Sequence, residues 1–221
     1  MSAKHFSLPR LSTLSLMFLL FSIVARSEGL FIEIPGGTLA GDQTWNDTER
    51  PYRIDNLSEP LTIPVGKTLT IGAGVTVVSK YYNKSTFVVQ GALNASGADF
   101  NLETRNDVPQ PIIVEGNGQA TFTLCNVLVN AFGAASTTTT VFLARGAATL
   151  TLSGTSVAHA ASSTATVNRA VWTQDTASLV FSVSGTTRNQ ITGFPQAVYC
   201  ESTTAANLAP RIFPRELMVW C

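Results

Sequence analysis

Short triplets in which two apolar residues flank a third residue recur along the chain. They are Leu61-Thr62-Ile63, Leu69-Thr70-Ile71, Val75-Thr76-Val77, Phe87-Val88-Val89, Ile112-Ile113-Val114, Phe122-Thr123-Leu124, Val141-Phe142-Leu143, Leu150-Thr151-Leu152, Ala170-Val171-Trp172 and Leu179-Val180-Phe181. Side chains alternate between the two faces of a strand, so each triplet predicts a short strand whose first and third residues point inward. No long stretch has apolar residues at helical spacing, which favours an all-β protein.

The triplets fall into three families that advance together along the chain. The first family begins at residues 87, 112, 141, 170 and 197, the second at 69, 93, 122, 150 and 179, and a weaker third at 75, 100, 128 and 157. A common return of 24 to 29 residues in all three families predicts three strands per turn around a triangular prism. We therefore expect a β-solenoid of about five coils. An antiparallel sandwich, the alternative, would not require a constant return.

The same phase predicts interior and corner positions. Phe122, Leu150 and Leu179 begin equivalent triplets and are expected to form one inward stack. Trp172 and Tyr199 occupy the third position of equivalent triplets and are expected to fill the core. Residues that tolerate positive φ follow the second family and are expected at its corners: Gly72, Gly74, Gly97, Asn126 and Gly154.

Residues 57–97 also carry a resemblance to a known family. The stretches Leu61-Thr-Ile-Pro-Val-Gly-Lys-Thr-Leu-Thr-Ile-Gly-Ala-Gly-Val-Thr-Val77 and Phe87-Val-Val-Gln-Gly-Ala-Leu-Asn-Ala-Ser-Gly97 are similar to the opening coils of secreted, pectin-lyase-like β-helix proteins. The resemblance implies a right-handed parallel β-helix solenoid with N- and C-terminal caps. It also implies either a surface or adhesin-like module or a polysaccharide lyase or glycoside hydrolase, and fold alone does not choose among these.

The first 27 residues have the pattern of a secretory signal peptide. Lys4 and Arg10 precede an apolar run at 14–24, and small residues follow it. A membrane-spanning helix needs about 20 apolar residues, so we expect a secreted or cell-surface protein with no transmembrane segment after signal cleavage. The predicted organisation is a signal peptide at 1–27, an N-terminal cap at 28–56, the solenoid at 57–200, and a C-terminal cap or truncated end at 201–221.

Composition and charge exclude several classes. Only 13% of the 221 residues are charged and 45% are hydrophobic, which is unlike a disordered chain or a coiled coil. Without residues 1–27 the chain holds 11 basic and 14 acidic residues, a net charge of −3. Nucleic acid is therefore not an expected partner.

Candidate catalytic chemistry is sparse. Sugar-cleaving solenoids need paired acids for hydrolysis, or acids that hold Ca²⁺ for elimination. One local charged patch contains Glu103, Arg105, Asp107 and Glu115, and we interpret it as a solvated loop between coils. His159 is the only histidine after residue 27, which excludes a multi-histidine zinc site. We expect no catalytic residues, no metal site, no cofactor and no polysaccharide cleavage.

A structural, adhesin-like or binding role is the function we expect. Tyr81 and Tyr82 lie in an insertion between coils and are the predicted contacts for glycans or surface proteins. Four sequons make Asn46, Asn56, Asn83 and Asn94 glycosylation candidates in a eukaryotic source. Cys200 and Cys221 are the predicted disulfide, because Cys125 comes at the end of the apolar triplet Phe122-Thr123-Leu124, directly after Leu124, and is expected to pack as a buried thiol.

Outward threonines suggest a second alternative, an ice-binding solenoid. Thr68-x-Thr70, Thr121-x-Thr123 and Thr149-x-Thr151 belong to one strand family, so a solenoid would stack them roughly 5 Å apart on one face. The array is interrupted at Ala92, Asn94, Ser178 and Val180, and Asn94 begins a sequon. Threonine also suits exposed strand positions in general, and we expect no ice binding.

Overall fold

The described part of the chain consists of short strands joined by tight turns. The structure is a computed structural model, and it describes residues 30–80, 84–105, 110–132, 139–160, 167–202 and 219–220. Its strands are β1 (Ile32–Pro35), β2 (Gly37–Thr38), β3 (Gln43–Trp45), β4 (Tyr52–Asp55), β5 (Leu61–Ile63), β6 (Thr68–Ile71), β7 (Thr76–Ser79), β8 (Phe87–Val89), β9 (Ala92–Ser96), β10 (Asp99–Arg105), β11 (Ile112–Val114), β12 (Gln119–Thr123), β13 (Asn126–Phe132), β14 (Thr140–Ala144), β15 (Thr149–Ser153), β16 (Ser156–His159), β17 (Arg169–Asp175), β18 (Ser178–Ser182), β19 (Gln190–Thr192), β20 (Gln196–Ser202) and β21 (Val219–Trp220). Within these ranges there is no helix, and accordingly none that could cross a membrane.

Every third strand joins the same parallel sheet. Sheet A contains β1, β4, β7, β10, β13, β16 and β19; sheet B contains β2, β5, β8, β11, β14, β17, β20 and β21; sheet C contains β3, β6, β9, β12, β15 and β18. The strand pairs are parallel throughout. The chain therefore forms a β-solenoid of about five turns, which confirms the predicted fold class. The direction of winding and the caps stay predictions.

The first turn begins within the segment predicted as an N-terminal cap. Residues 32–45 already supply β1 to sheet A, β2 to sheet B and β3 to sheet C. Trp45 at the end of β3 is 3% exposed and stacks on Tyr52, with ring centroids 4.7 Å apart. These two rings are part of the buried apolar interior of the first turns.

The core is a set of inward columns that run from coil to coil. In sheet C, one column in register contains Leu69, Leu93, Ala120, Leu150 and Leu179. Each of these side chains is at most 1% exposed. Burial on this scale stabilises the solenoid by about 1.5–3 kcal/mol for each large aliphatic side chain.

An aromatic stack links the sheets through the interior. The consecutive ring contacts join Trp45, Phe87, Phe100, Phe122 and Phe142, with centroids 5.2 to 6.5 Å apart. The last three of these contacts are edge-to-face, the arrangement that the ring quadrupoles favour. The stack connects strands of all three sheets across four successive turns.

The predicted inward stack of Phe122, Leu150 and Leu179 is wrong in one member. All three side chains are buried, but Phe122 is in register with Leu152, two residues further along β15. Ala120 occupies the position predicted for Phe122. The triplet pattern missed Ala120 because its methyl group gives a weak apolar signal.

Some members of the two other families are out of phase by one residue, whereas Phe87, Ile112, Phe100 and Val157 are buried as predicted. In sheet A, Val127 points inward and Leu128 is 37% exposed, whereas the pattern placed Leu128 inside. In sheet B, the inward column contains Phe142 and Val171 rather than Val141 and Ala170. Since the side-chain period is two, a one-residue slip moves every side chain to the opposite face.

Three of the four glycines predicted at corners have the positive φ expected there. Gly74, Gly97 and Gly154 have φ values of 77°, 62° and 58°, which confirms their predicted role. Gly72 does not have a positive φ, and Asn126 instead begins β13. Leu124 takes the left-handed position in its coil with φ 53°, at a cost of about 1–2 kcal/mol for a residue with a Cβ.

Replacing Leu150 with Ala tests the inward column. The side chain is fully buried, and we expect Leu150→Ala to lower the free energy of unfolding by about 2–5 kcal/mol. Thr151→Ala, at the neighbouring outward position, is the control and should change it by less than about 0.5 kcal/mol. Denaturant unfolding measures both values, and equal effects of the two variants would contradict the register.

Replacing Leu124 with Gly tests the strained corner. Glycine relieves the left-handed strain at Leu124 but loses the packing of a side chain that is 44% exposed and thus more than half buried. Each effect is about 1–2 kcal/mol, so we expect the midpoint of thermal unfolding to change little. Leu128 has similar exposure but ordinary strand geometry, so Leu128→Gly should instead destabilise the protein. Equal destabilisation by the two substitutions would contradict the assignment of strain.

Candidate functional site

The outward face of sheet B presents two aromatic side chains on adjacent coils. Trp172 in β17 is in register with Tyr199 in β20, and both are partly exposed. The inward positions beside them are taken by Val171 and Val198, which are fully buried. The expectation that Trp172 and Tyr199 fill the core is therefore wrong, because the phase in this sheet is shifted by one residue.

The Arg169 guanidinium packs against both rings. The Arg169 guanidinium carbon lies 4.0 Å from the ring centroid of Tyr199 and 4.6 Å from that of Trp172. Arg169 Nε donates a hydrogen bond to Gln196 Oε1 at 2.9 Å, which fixes the plane of the guanidinium. The two ring centroids are 6.3 Å apart at an interplanar angle of 66°. Side chains of four residues thus form one compact aromatic and cationic cluster.

This cluster follows the coil in which the outward positions of sheet B are covered. In the preceding coil, Val141 and Leu143 flank the inward-facing Phe142, yet they are only 0% and 4% exposed. Trp172 follows Leu143 in register and is the first aromatic residue of this column to reach the surface. Its indole Nε1 is buried and has no hydrogen-bond acceptor among the described residues. A ligand that approached the cluster would meet aromatic surface and guanidinium N–H groups together.

A polar ladder runs beside the aromatic column, at the corner between sheets B and C. Gln90 Nε2 donates to Glu115 Oε1 at 3.0 Å, and Arg145 Nε donates to Glu115 Oε2 at 3.0 Å. Partial burial by itself raises the pKa of the Glu115 carboxyl, but these hydrogen bonds and the Arg145 charge outweigh it and hold the pKa below its ordinary value. Glu115 is therefore an ionised carboxylate with both oxygens engaged, which does not suit a general acid.

The ladder borders a cleft of about 360 Å³. At this corner, the coil that contains Gln90 and Gly91 has a shorter turn than its neighbours, which carry the tetrapeptides 64–67 and 115–118. A Cβ on Gly91 would collide with the carbonyl oxygens of Pro64 and Lys67, so this tight turn requires glycine. The cleft is the space that the missing turn leaves, with the exposed Val65 on one side.

The residues of the predicted charged patch separate in the fold. Glu103 lies in β10 of sheet A, whereas Glu115 follows β11 of sheet B. Burial raises the pKa of Glu103, in contrast to Glu115. Asp107 and the side chain of Arg105 lie outside the described residues. Within the described ranges, no group of three or more His, Cys, Asp or Glu residues is arranged to hold a metal ion.

Several predicted binding and modification residues fall outside the described ranges. These are Tyr81, Tyr82, Asn83 and Cys221. Cys200 lies in β20, which pairs with β21 through Val198 to Val219 and Tyr199 to Trp220, so each cysteine directly follows a paired residue. The disulfide stays a prediction. Cys125 is 1% exposed, as expected for a buried thiol.

The remaining glycosylation candidates differ sharply in exposure. Asn46 and Asn94 are exposed, whereas Asn56 is fully buried. Asn56 Nδ2 donates to the backbone oxygen of Lys84 at 2.7 Å, which links two successive coils. A sugar attached to Asn56 is incompatible with the full burial of this side chain in the folded solenoid.

The threonine array lies on one face of sheet C as predicted, but its register is shifted by two residues in β12, where Thr121 rather than Thr123 pairs with Thr151. Thr70, Asn94, Thr121, Thr151 and Val180 lie side by side on the outer surface of sheet C. Asn94 is exposed in the middle of this row and interrupts the threonine spacing. The absence of ice binding stays a prediction, and the position of Asn94 is consistent with it.

Comparison with models of protein families, with curated proteins and with solved structures finds no match to this chain. A sequence signal for the aromatic pair does exist: Gln174 and Glu201 lie two residues after Trp172 and Tyr199. Residues two apart share one face of a strand, so these polar partners predict an outward phase.

Replacing Glu115 with Gln tests the ladder through its pH dependence. The pKa of Glu115 is lowered by folding, so its ionised form stabilises the protein above the unfolded pKa, near 4.5, and this contribution is lost as the pH falls through the folded value. We expect Glu115→Gln to destabilise the protein at pH 7 and to have a smaller effect at pH 3. Urea unfolding across this range measures the difference.

Glu103→Gln is the matched control, because burial raises the pKa of Glu103. Folding therefore disfavours the Glu103 carboxylate, and the neutral glutamine should become relatively more favourable as the pH rises. The two variants should show opposite slopes of stability against pH. Parallel slopes would contradict the described electrostatics.

Proposed function

We propose that this protein is a secreted, non-catalytic solenoid that binds glycans through the aromatic cluster on sheet B. The cluster consists of Arg169, Trp172, Gln196 and Tyr199. The observation that carries the proposal is the outward register of Trp172 and Tyr199 on adjacent coils, with a guanidinium between them. Aromatic side chains with a polar handle are favoured where one surface contacts apolar and polar groups together.

The chemistry of the cluster matches that of a sugar ring. A pyranose has apolar C–H faces that pack on aromatic rings, and hydroxyl groups at its edge that need hydrogen-bond partners. Trp172 and Tyr199 supply the apolar surface, while Arg169 and Gln196 supply fixed polar groups beside it. Since Gln196 already orients Arg169, binding requires little further ordering of that long side chain.

A binding role is supported over cleavage by the state of the acidic residues. Glu115 is hydrogen-bonded on both oxygens, and Glu103 belongs to another sheet. Secretion is supported by the leader pattern of residues 1–27. A surface or extracellular location would bring the cluster into contact with cell-wall, matrix or cell-surface glycans.

Binding to an oligosaccharide array tests the proposal. A glycan that binds the protein should lose about 30-fold or more in affinity on Trp172→Ala or Tyr199→Ala, since a central aromatic contact contributes roughly 2 kcal/mol. Leu128→Ala, an exposed apolar residue on the outer surface of sheet A, is the control and should leave affinity unchanged. Titration calorimetry gives the dissociation constants, and circular dichroism verifies the fold of each variant.

Two results would count against this function. Binding that survives both aromatic substitutions would place the glycan site elsewhere on the solenoid. Release of reducing ends or unsaturated products from a polysaccharide panel, abolished by Glu103→Gln or Glu115→Gln, would instead support a hydrolase or lyase.

A further inference from the structure

The outer surface of sheet C differs in chemistry from the outer surfaces of the other two sheets. Strands β6, β9, β12, β15 and β18 have 14 outward positions, of which ten are Ser or Thr and none is charged. Sheet A carries ion pairs such as Lys80 with Asp55, at 3.1 Å, and sheet B carries Glu115 with Arg145 at its edge. Sheet C is thus a polar face without the charges by which β proteins usually prevent association.

Asn94 lies near the centre of this face. It is exposed, in register with Thr70 in the preceding coil and Thr121 in the following coil. Ser96, the hydroxyl residue of its sequon, is exposed on the same outward side of β9. The acceptor amide and the hydroxyl that the glycosylation signal requires are therefore both at the surface.

We propose that Asn94 carries an N-linked glycan that covers the outer surface of sheet C and keeps the protein monomeric. In the linking reaction, Asn94 Nδ2 displaces the diphosphate of a polyprenyl-diphosphate oligosaccharide. A bond forms between sugar C1 and Nδ2, the bond from C1 to the diphosphate oxygen breaks, and Nδ2 loses a proton. This inference rests on the secretion in the proposed function, because the oligosaccharide donor faces the lumen of the secretory pathway.

The structure distinguishes Asn94 from the other described candidates. Asn56 is 0% exposed, and its Nδ2 is used in the hydrogen bond to Lys84, so a glycan there would prevent the coil from closing. Asn46 is exposed but follows β3 at the first coil, outside the strands that form the uncharged face. Among the described candidates, Asn94 is the one from which a glycan would project from the middle of that face.

Expression of the full chain in cultured eukaryotic cells, once with its own leader and once with a heterologous leader, tests the assignment. Peptide mass spectrometry of the secreted protein should find Asn94 occupied and Asn56 unmodified. Ser96→Ala, which removes the sequon at an exposed position, and Asn94→Gln should each lose the mass of one glycan. Thr48→Ala, which removes only the Asn46 sequon, is the control and should retain the glycan on Asn94.

Size-exclusion chromatography tests the role of the glycan. The wild type and Thr48→Ala should elute as monomers, whereas Ser96→Ala and Asn94→Gln should shift to larger species at the same concentration. An unoccupied Asn94 in folded secreted protein, or monomeric elution of both unglycosylated variants, would overturn the inference. If Asn94 is occupied with the heterologous leader but the protein with its native leader stays inside the cell, the glycan site is supported. That result would contradict only the secretion part of the proposed function.

Discussion

The parallel register between successive coils is the constraint on which the rest of this structure depends. Each strand pairs with the strand one turn earlier, so the position of a residue within its coil decides whether its side chain enters the core or faces solvent. The inward positions build continuous columns such as Leu69, Leu93, Ala120, Leu150 and Leu179. The outward positions build equally regular columns on three faces. Core stability and surface chemistry thus follow from the same register.

Much of this architecture could be predicted from the sequence. The common return of the three triplet families predicts three strands per turn, and the register of Leu150 with Leu179 is as expected. Prediction succeeds where one face is apolar and the other polar, as in β15 with its alternating Leu and Thr. There the alternation fixes the phase directly.

The sequence pattern predicts the wrong inward residue where both faces of a strand are buried or where the inward residue is small. Every residue of β14 is buried, so its sequence has no alternation from which an inward face could be chosen. An error of one residue there propagates along sheet B and places Trp172 and Tyr199 inside the core. At Ala120, a methyl group fills an inward position that the pattern assigned to Phe122. The candidate site was therefore missed through a register error in the coil before it.

The three faces of the solenoid have separate chemistry, although they share one core. Sheet A presents ion pairs, sheet C presents hydroxyl groups around Asn94, and sheet B presents the cluster of Arg169, Trp172, Gln196 and Tyr199. Arg53 on sheet A lies over the ring of Phe31, whereas in the sheet B cluster one guanidinium lies against two aromatic rings. The rings of this cluster are available because β17 and β20 turn these two side chains away from the aromatic stack of the core.

Hydroxyl-radical footprinting with residue-level mass spectrometry tests the outward assignment and its function in one measurement. In the free protein, Trp172 and Tyr199 should be oxidised, while the buried Trp45 stays unreactive. With the bound oligosaccharide, oxidation of Trp172 and Tyr199 should fall and that of Leu128 on sheet A should not change. Unreactive Trp172 in the free protein, or protection confined to sheets A and C, would contradict the account.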